Sequence, residues 1–219
     1  MQPIVQVIER TQTARGELQL QRRGIDYEII SNGTFLMATY NGKSERLLVN
    51  AALEEIPSAK RVVIGGLGVG FSLAEALGYE TIEEVTVVEI ERKVIEWNQT
   101  HLAPFSAYGL DDPRTRIIHA DLLEWMSKEK GMYDAICLDI DNGPDWTVTD
   151  ANSRLYRHHS LTQLLHLLSP NGVVAFWSAS HSGAFERVLR DIFVHVKRKT
   201  VPREKGEDDC VYIASAGKE

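Results

Sequence analysis

The sequence predicts an α/β protein in which a mostly parallel sheet carries an antiparallel C-terminal edge pair and is preceded by a small N-terminal β-hairpin domain. Three observations predict it. Up to Asn41-Gly42, apolar and polar residues alternate between turn signals, the period-two pattern of short antiparallel strands. From Lys60 onward, β-branched runs take turns with runs whose apolar residues lie three and four apart, and that alternation calls for parallel strands covered by helices on both faces. Finally, "FVHVKRKTV" and "DCVYIASA" flank a charged turn, as two antiparallel strands do.

In chain order, "GELQLQR", "DYEIIS" and "TFLMATY" read as strands, with Asn32-Gly33 and Asn41-Gly42 as turn pairs, because Asn and Gly accept the positive φ of tight hairpins. At "SERLLVNAALEEI" the period becomes helical, and Pro57 closes the element. The chain therefore divides into a small β-rich domain with its linking helix, residues 1–58, and a sheet domain, residues 59–219. The strands of the second are "RVVIG", "EVTVVE", "TRIIH", "YDAICLD" and "GVVAFW". Between them, one helix carries Leu73, Ala76 and Leu77 and ends at Gly78; another carries Leu161, Leu164, Leu165 and Leu168 and ends at Pro170 and Gly172.

A chain of 219 residues, 43% hydrophobic and 25% charged, can bury one substantial core as a soluble globular protein. No apolar run approaches membrane-spanning length, and "MQPIVQVIERTQTARGE" lacks a secretory signal pattern; a cytoplasmic protein with no membrane partner is expected. Cys137 and Cys210 each sit in an apolar strand-like run without ligand spacing, which suits buried reduced thiols and no metal. A net charge of -7 disfavours nucleic acid and favours a small cationic substrate. Some local patterns carry no chemistry. Gly42-Lys43-Ser44 lacks the upstream glycine of a phosphate loop, Met37 standing in its place. Ser180 and His181 are neighbours outside any nucleophile elbow, and His158 and His159 point apart on a helix.

The stretch "RVVIGGLGVGFSLAEALG", Arg61 to Gly78, runs from a strand through a glycine turn into a helix. Open parallel sheets bind ligands at such strand ends, where the strand order reverses. Gly65, Gly66, Leu67, Gly68 and Gly70 form the turn, and the helix after it aims free N–H groups at whatever lies there. The spacing is G-x-G-x-G, with Phe71 where a dinucleotide fold wants its third glycine, which counts against nicotinamide cofactors. The turn alone also fits a plain βα connection. The next strand ends in Glu89, followed by Ile90, where this architecture places an acid for a ribose diol. The third ends in "HAD", giving Asp121 before Leu122, and the fourth in "LDIDNGPDW", with Asp139, Asp141 and Asp145 around a turn. Acids at the ends of three successive strands would line one crevice.

These pieces resemble the spermidine synthase family of polyamine aminopropyltransferases from about Lys60 to Phe193: "VVIGGLGVG", "VTVVEIERKVIEW", "DPRTRIIHADLLEWM", "YDAICLDIDNGP" and "LLHLLSPNGVVAFWS". The resemblance implies a Rossmann-like class I S-adenosylmethionine-binding fold behind a small β-domain, and commonly a homodimer. It implies Glu89 on the ribose hydroxyls, Asp121 and Leu122 at the adenine, and Asp139 beside the reacting centre. Asp141, Asn142, Asp145 and Trp146 follow as candidates around the acceptor. The co-substrate would be S-adenosylmethionine or its decarboxylated form, without metal. Displacement at a carbon attached to sulfonium expels a neutral thioether and needs no acid, whereas the amine must lose its proton; Asp139 is the carboxylate to take it.

Gly68 stands where the family loop carries an acid that favours the decarboxylated cofactor, and the family's Y-H-E segment falls on Leu48, Val49 and Asn50 when Glu45 is in register. Asn142 replaces a second acid. The readings are thus an aminopropyltransferase-like enzyme, a class I small-molecule methyltransferase favoured by Gly68, and a non-catalytic nucleotide-binding member. A nicotinamide oxidoreductase is the most distant.

Overall fold

The computed structural model describes residues 4–147, 150–203 and 206–216. Strands β1 (Val5–Thr13), β2 (Gly16–Arg23), β3 (Asp26–Ser31) and β4 (Thr34–Ala38) form an antiparallel sheet in chain order. At the β3–β4 turn, Asn32 and Gly33 both take positive φ, 49° and 77°, as the Asn-Gly pair predicts. The pair Asn41-Gly42 acts differently: Gly42 caps helix α1 (Lys43–Glu55), its carbonyl accepting from Arg46 N at 3.2 Å. Strand β1 escapes the hydrophobic pattern because it lies at the sheet edge and no residue in it is fully buried.

The second sheet has seven strands: β5 (Arg61–Gly65), β6 (Glu84–Glu89), β7 (Thr115–His119), β8 (Tyr133–Leu138), β9 (Leu168–Ser178), β10 (His195–Val201) and β11 (Asp209–Ser215). Their order is β10-β11-β9-β8-β5-β6-β7, with β5 to β9 mutually parallel and β11 antiparallel to both neighbours. The expected terminal pair is present, with β10 alone at the rim. The helices between strands are α2 (Phe71–Leu77), α3 (Arg92–Asn98), α4 (Leu122–Lys128), α5 (His158–Leu167) and α6 (Gly183–Ile192). Leu168, read as the last apolar residue of a helix, is instead the first residue of β9 and pairs with Tyr133. Its backbone is already extended, at φ -82° and ψ 140°, and a leucine four residues after Leu164 suits either a helix stripe or a buried strand.

Alternate residues of the central strands feed two cores, as period two requires. Val62, Ile64, Ala135, Cys137, Val173, Ala175, Val211 and Ile213 pack with α1, α2 and α3. Val63, Ile136, Leu138, Val174, Phe176 and Tyr212 pack on the other face with α4, α5 and α6. Leu18, Leu20 and Ile29 of the small sheet belong to the first core, so the two sheets share one hydrophobic interior. Both cysteines are buried free thiols. Trp97 Nε1 donates to Glu9 Oε2 at 2.8 Å and Arg15 Nε pairs with Glu91 Oε1 at 2.7 Å, tying the small sheet to α3 and to its N-cap just beyond β6. Among the described residues no helix is long and apolar enough to cross a membrane.

Candidate active site

The chain goes from β5 out to β6 and β7, then returns to place β8 on the other side of β5. That reversal opens a crevice at the carboxyl ends of β5 and β8. The glycine turn fills its floor. Gly66 has φ +89°, and a Cβ on it would stand 2.3 Å from the Asp139 carbonyl oxygen; only glycine closes this corner. Gly66 N donates to Val88 O at 2.9 Å, and Asp139 N donates to Gly65 O at 3.0 Å, so the turn is stitched to the strands on both sides. Gly68 has φ +53°, and Met37 from β4 covers it closely enough that a Cβ would meet the sulfur. Beneath the turn, Asn98 Nδ2 donates to Gly68 O at 2.8 Å.

Glu89 ends β6 and is 6% exposed. Its Oε2 accepts from Leu67 N at 2.8 Å and its Oε1 from Glu91 N at 2.7 Å. A carboxylate offers about four acceptor positions, so it can hold the turn and still receive hydroxyl donors. Burial pushes its pKa up, against the pull of those backbone donors. Ile90, beside it, accepts at its carbonyl from Arg15 Nη2 at 2.8 Å. Asp121 is the N-cap of α4, its Oδ1 accepting from Glu124 N at 3.1 Å, with Leu122 buried behind it. The structure thus brings the turn, Glu89, Asp121 and Asp139 to the same ends of four adjacent strands. Glycines with left-handed angles, a close backbone approach and a buried acid with spare lone pairs fit an adenosyl group.

Asp139 is the first residue beyond β8. Its carboxylate makes no hydrogen bond among the described residues, and its pKa is pushed up to about 8, first by burial and then by the charges of Glu45 and Asp209. Glu45, in the first turn of α1, is buried, with Ser44 Oγ donating to its Oε2 at 2.8 Å; burial raises its pKa too. Asp209 opens β11, is buried, pairs with Arg203 Nη1 at 3.2 Å, and is raised chiefly by burial. Arg203 offsets Asp209 and Arg46 acts on Glu45, while Asp139 is raised by burial and by like charges, so a cation beside it would relieve the group.

Sequence reasoning named neither Glu45 nor Asp209 as a site residue. The available signal was an acid at the start of an amphipathic helix and another at the start of an apolar strand, each placed where its neighbours are buried. Positions Leu48 and Val49 are core, and Asn50 Oδ1 accepts from Tyr79 Oη at 2.6 Å. Among the other acceptor-side candidates, Asp141 is buried and accepts from Asn142 N at 2.8 Å and Asn152 Nδ2 at 2.6 Å. Asn142 is half-buried and its carbonyl accepts from Ala179 N at 2.9 Å, Asp145 is exposed, and Trp146 is 64% exposed.

Comparison with known proteins agrees with this fold. The family model described as a spermine/spermidine synthase domain matches residues 43–198. The chain is 31% identical over 169 residues to polyamine aminopropyltransferase 2 of Pseudomonas aeruginosa, covering 71% of this chain and 46% of that protein. It is 33% identical over 129 residues to putrescine N-methyltransferase 4 of Nicotiana tabacum, covering 58% of this chain and 32% of that protein. The chain thus spans less than half the length of these two relatives. Its fold superimposes on a solved spermidine synthase in complex with the transition-state analogue AdoDATO with a TM-score of 0.81 at 21% identity, over 97% of this chain and 74% of that one.

Proposed function

The chain belongs to the spermine/spermidine synthase family, and on that premise we propose that it transfers an aminopropyl group from decarboxylated S-adenosylmethionine to a small cationic amine. The observation that carries this reading is Asp139 beside the glycine turn, raised to about 8 by burial and then by the charges of Glu45 and Asp209. The bound sulfonium supplies an activated carbon and a neutral leaving thioether. The turn and Glu89 hold the ribose, and Asp121 with Leu122 edges the adenine. Glu45 and Asp209 draw in the cationic amine. Its charge favours the ionised form of Asp139, which then orients the nitrogen and takes its proton as the carbon–nitrogen bond forms. Alignment of nitrogen, carbon and sulfur supplies most of the acceleration. A homodimer, expected from the family resemblance, is checked by light scattering on the purified protein.

The test is product analysis with a diamine acceptor and each cofactor in turn. Release of methylthioadenosine from the decarboxylated cofactor, lost in Asp139→Asn, is the expected result; no release with any diamine or polyamine would refute the proposal. Gly68, in place of the loop acid, favours a second reading, methyl transfer from intact S-adenosylmethionine, and the tobacco relative's name agrees with it. S-adenosylhomocysteine as the product would select that reading.

A further inference from the structure

We propose that the cleft between α4, α5 and the 3-10 segment Asp150–Tyr156 binds a tetrahedral oxyanion, the phosphate of a small phosphate monoester or free phosphate. The cleft measures about 340 Å³, and its lining includes Leu123, Arg154, Arg157, His159, Ser160 and Gln163. Helix α5 starts at His158 with Arg157 as its N-cap; no side chain caps it, and its first turn holds no acid. Its first helical bond runs from Leu161 N to Arg157 O, which leaves the N–H groups of His158, His159 and Ser160 without helical partners. Helix starts favour Ser, Thr, Asp or Asn and attract negative charge. Here two arginines gather instead, in a protein of net charge -7.

Neither arginine has a carboxylate within ion-pair distance among the described residues. Arg154 Nε donates to Ala151 O at 3.3 Å, and Arg157 Nη2 donates to Ser153 Oγ at 3.4 Å. A second observation points to the same place. Ser160 is 4% exposed and lines the cleft, and its hydroxyl makes no hydrogen bond among the described residues. Its oxygen is therefore free to meet a ligand in the cleft. An oxyanion would complete it, pair both guanidiniums and receive the free N–H groups. Leu123 and Gln163 leave room beyond the phosphate for a small ester body.

The site is read by binding alone, so its test stands apart from the transferase reading. Calorimetric titration at constant ionic strength would use inorganic phosphate and glycerol 3-phosphate, with potassium chloride as the control. Saturable binding is expected for wild type and for Asp139→Asn, weakened about tenfold or more in Arg154→Gln and in Arg157→Gln, and weakened in Ser160→Ala. Tighter binding of the ester would identify an ester as occupant, and equal binding would identify free phosphate. Without phosphate, the two arginine variants should melt no lower than wild type, because each removes an unpaired cation from the positive helix end. Heats indistinguishable from potassium chloride, or binding unchanged in all three cleft variants, would overturn the proposal.

Discussion

Asp139 feels the charges of two other carboxylates, Glu45 and Asp209, and its protonation should govern both stability and the proposed activity. Its folded pKa, about 8, stands well above the ~3.9 of an unfolded aspartate. Between those values the folded chain binds more protons than the unfolded one, so this group makes stability fall as pH rises from about 4 to about 8. Asp139→Asn should therefore melt a few degrees above wild type at pH 8, with the gap closing toward pH 4, as read by calorimetry. Catalysis should run the other way: wild-type kcat/KM rises with pH and levels off above about 8, while the Asn variant loses a factor of roughly 10² to 10⁴. At Glu89, both oxygens already accept backbone N–H groups. Glu89→Gln replaces one acceptor with a donor, and methylthioadenosine affinity should drop about tenfold or more by titration calorimetry.

Among the elements, the glycine turn and α1 set the site. Gly66 combines a left-handed φ with a 2.3 Å approach to the Asp139 carbonyl oxygen. Gly66→Ala should cost on the order of 1–3 kcal/mol and abolish adenosyl binding, which thermal melts with and without methylthioadenosine would reveal. The helical period of α1 was legible in "SERLLVNAALEEI", yet period alone does not say which acid faces the crevice. Glu45 does so because α1 packs across β8, β9 and β11, with its N-terminal end toward Asp139. Glu45→Gln should raise the acceptor KM several-fold with little change in kcat, by steady-state rates at varied amine. β1 was illegible for the opposite reason, since an edge strand with no fully buried residue need not alternate.

At the scale of the whole molecule, the proposed cationic acceptor would meet both the net charge of -7 and the buried acids. Raising salt to about 0.5 M should raise the acceptor KM more than the cofactor KM, because screening weakens long-range attraction but not contacts made within a buried crevice. The sequence by itself determined the strand and helix alternation, the glycine turn and the acids Glu89, Asp121 and Asp139. Each is a local pattern, since side-chain period and the position of a residue after a strand follow from a few neighbours along the chain. Only the tertiary structure decided that Glu45 and Asp209, 164 positions apart, both act on Asp139, that β11 is an inner strand, and that the small sheet shares the main core. Those depend on how distant segments pack, and burial and the shifted proton affinity arise only when packing excludes water.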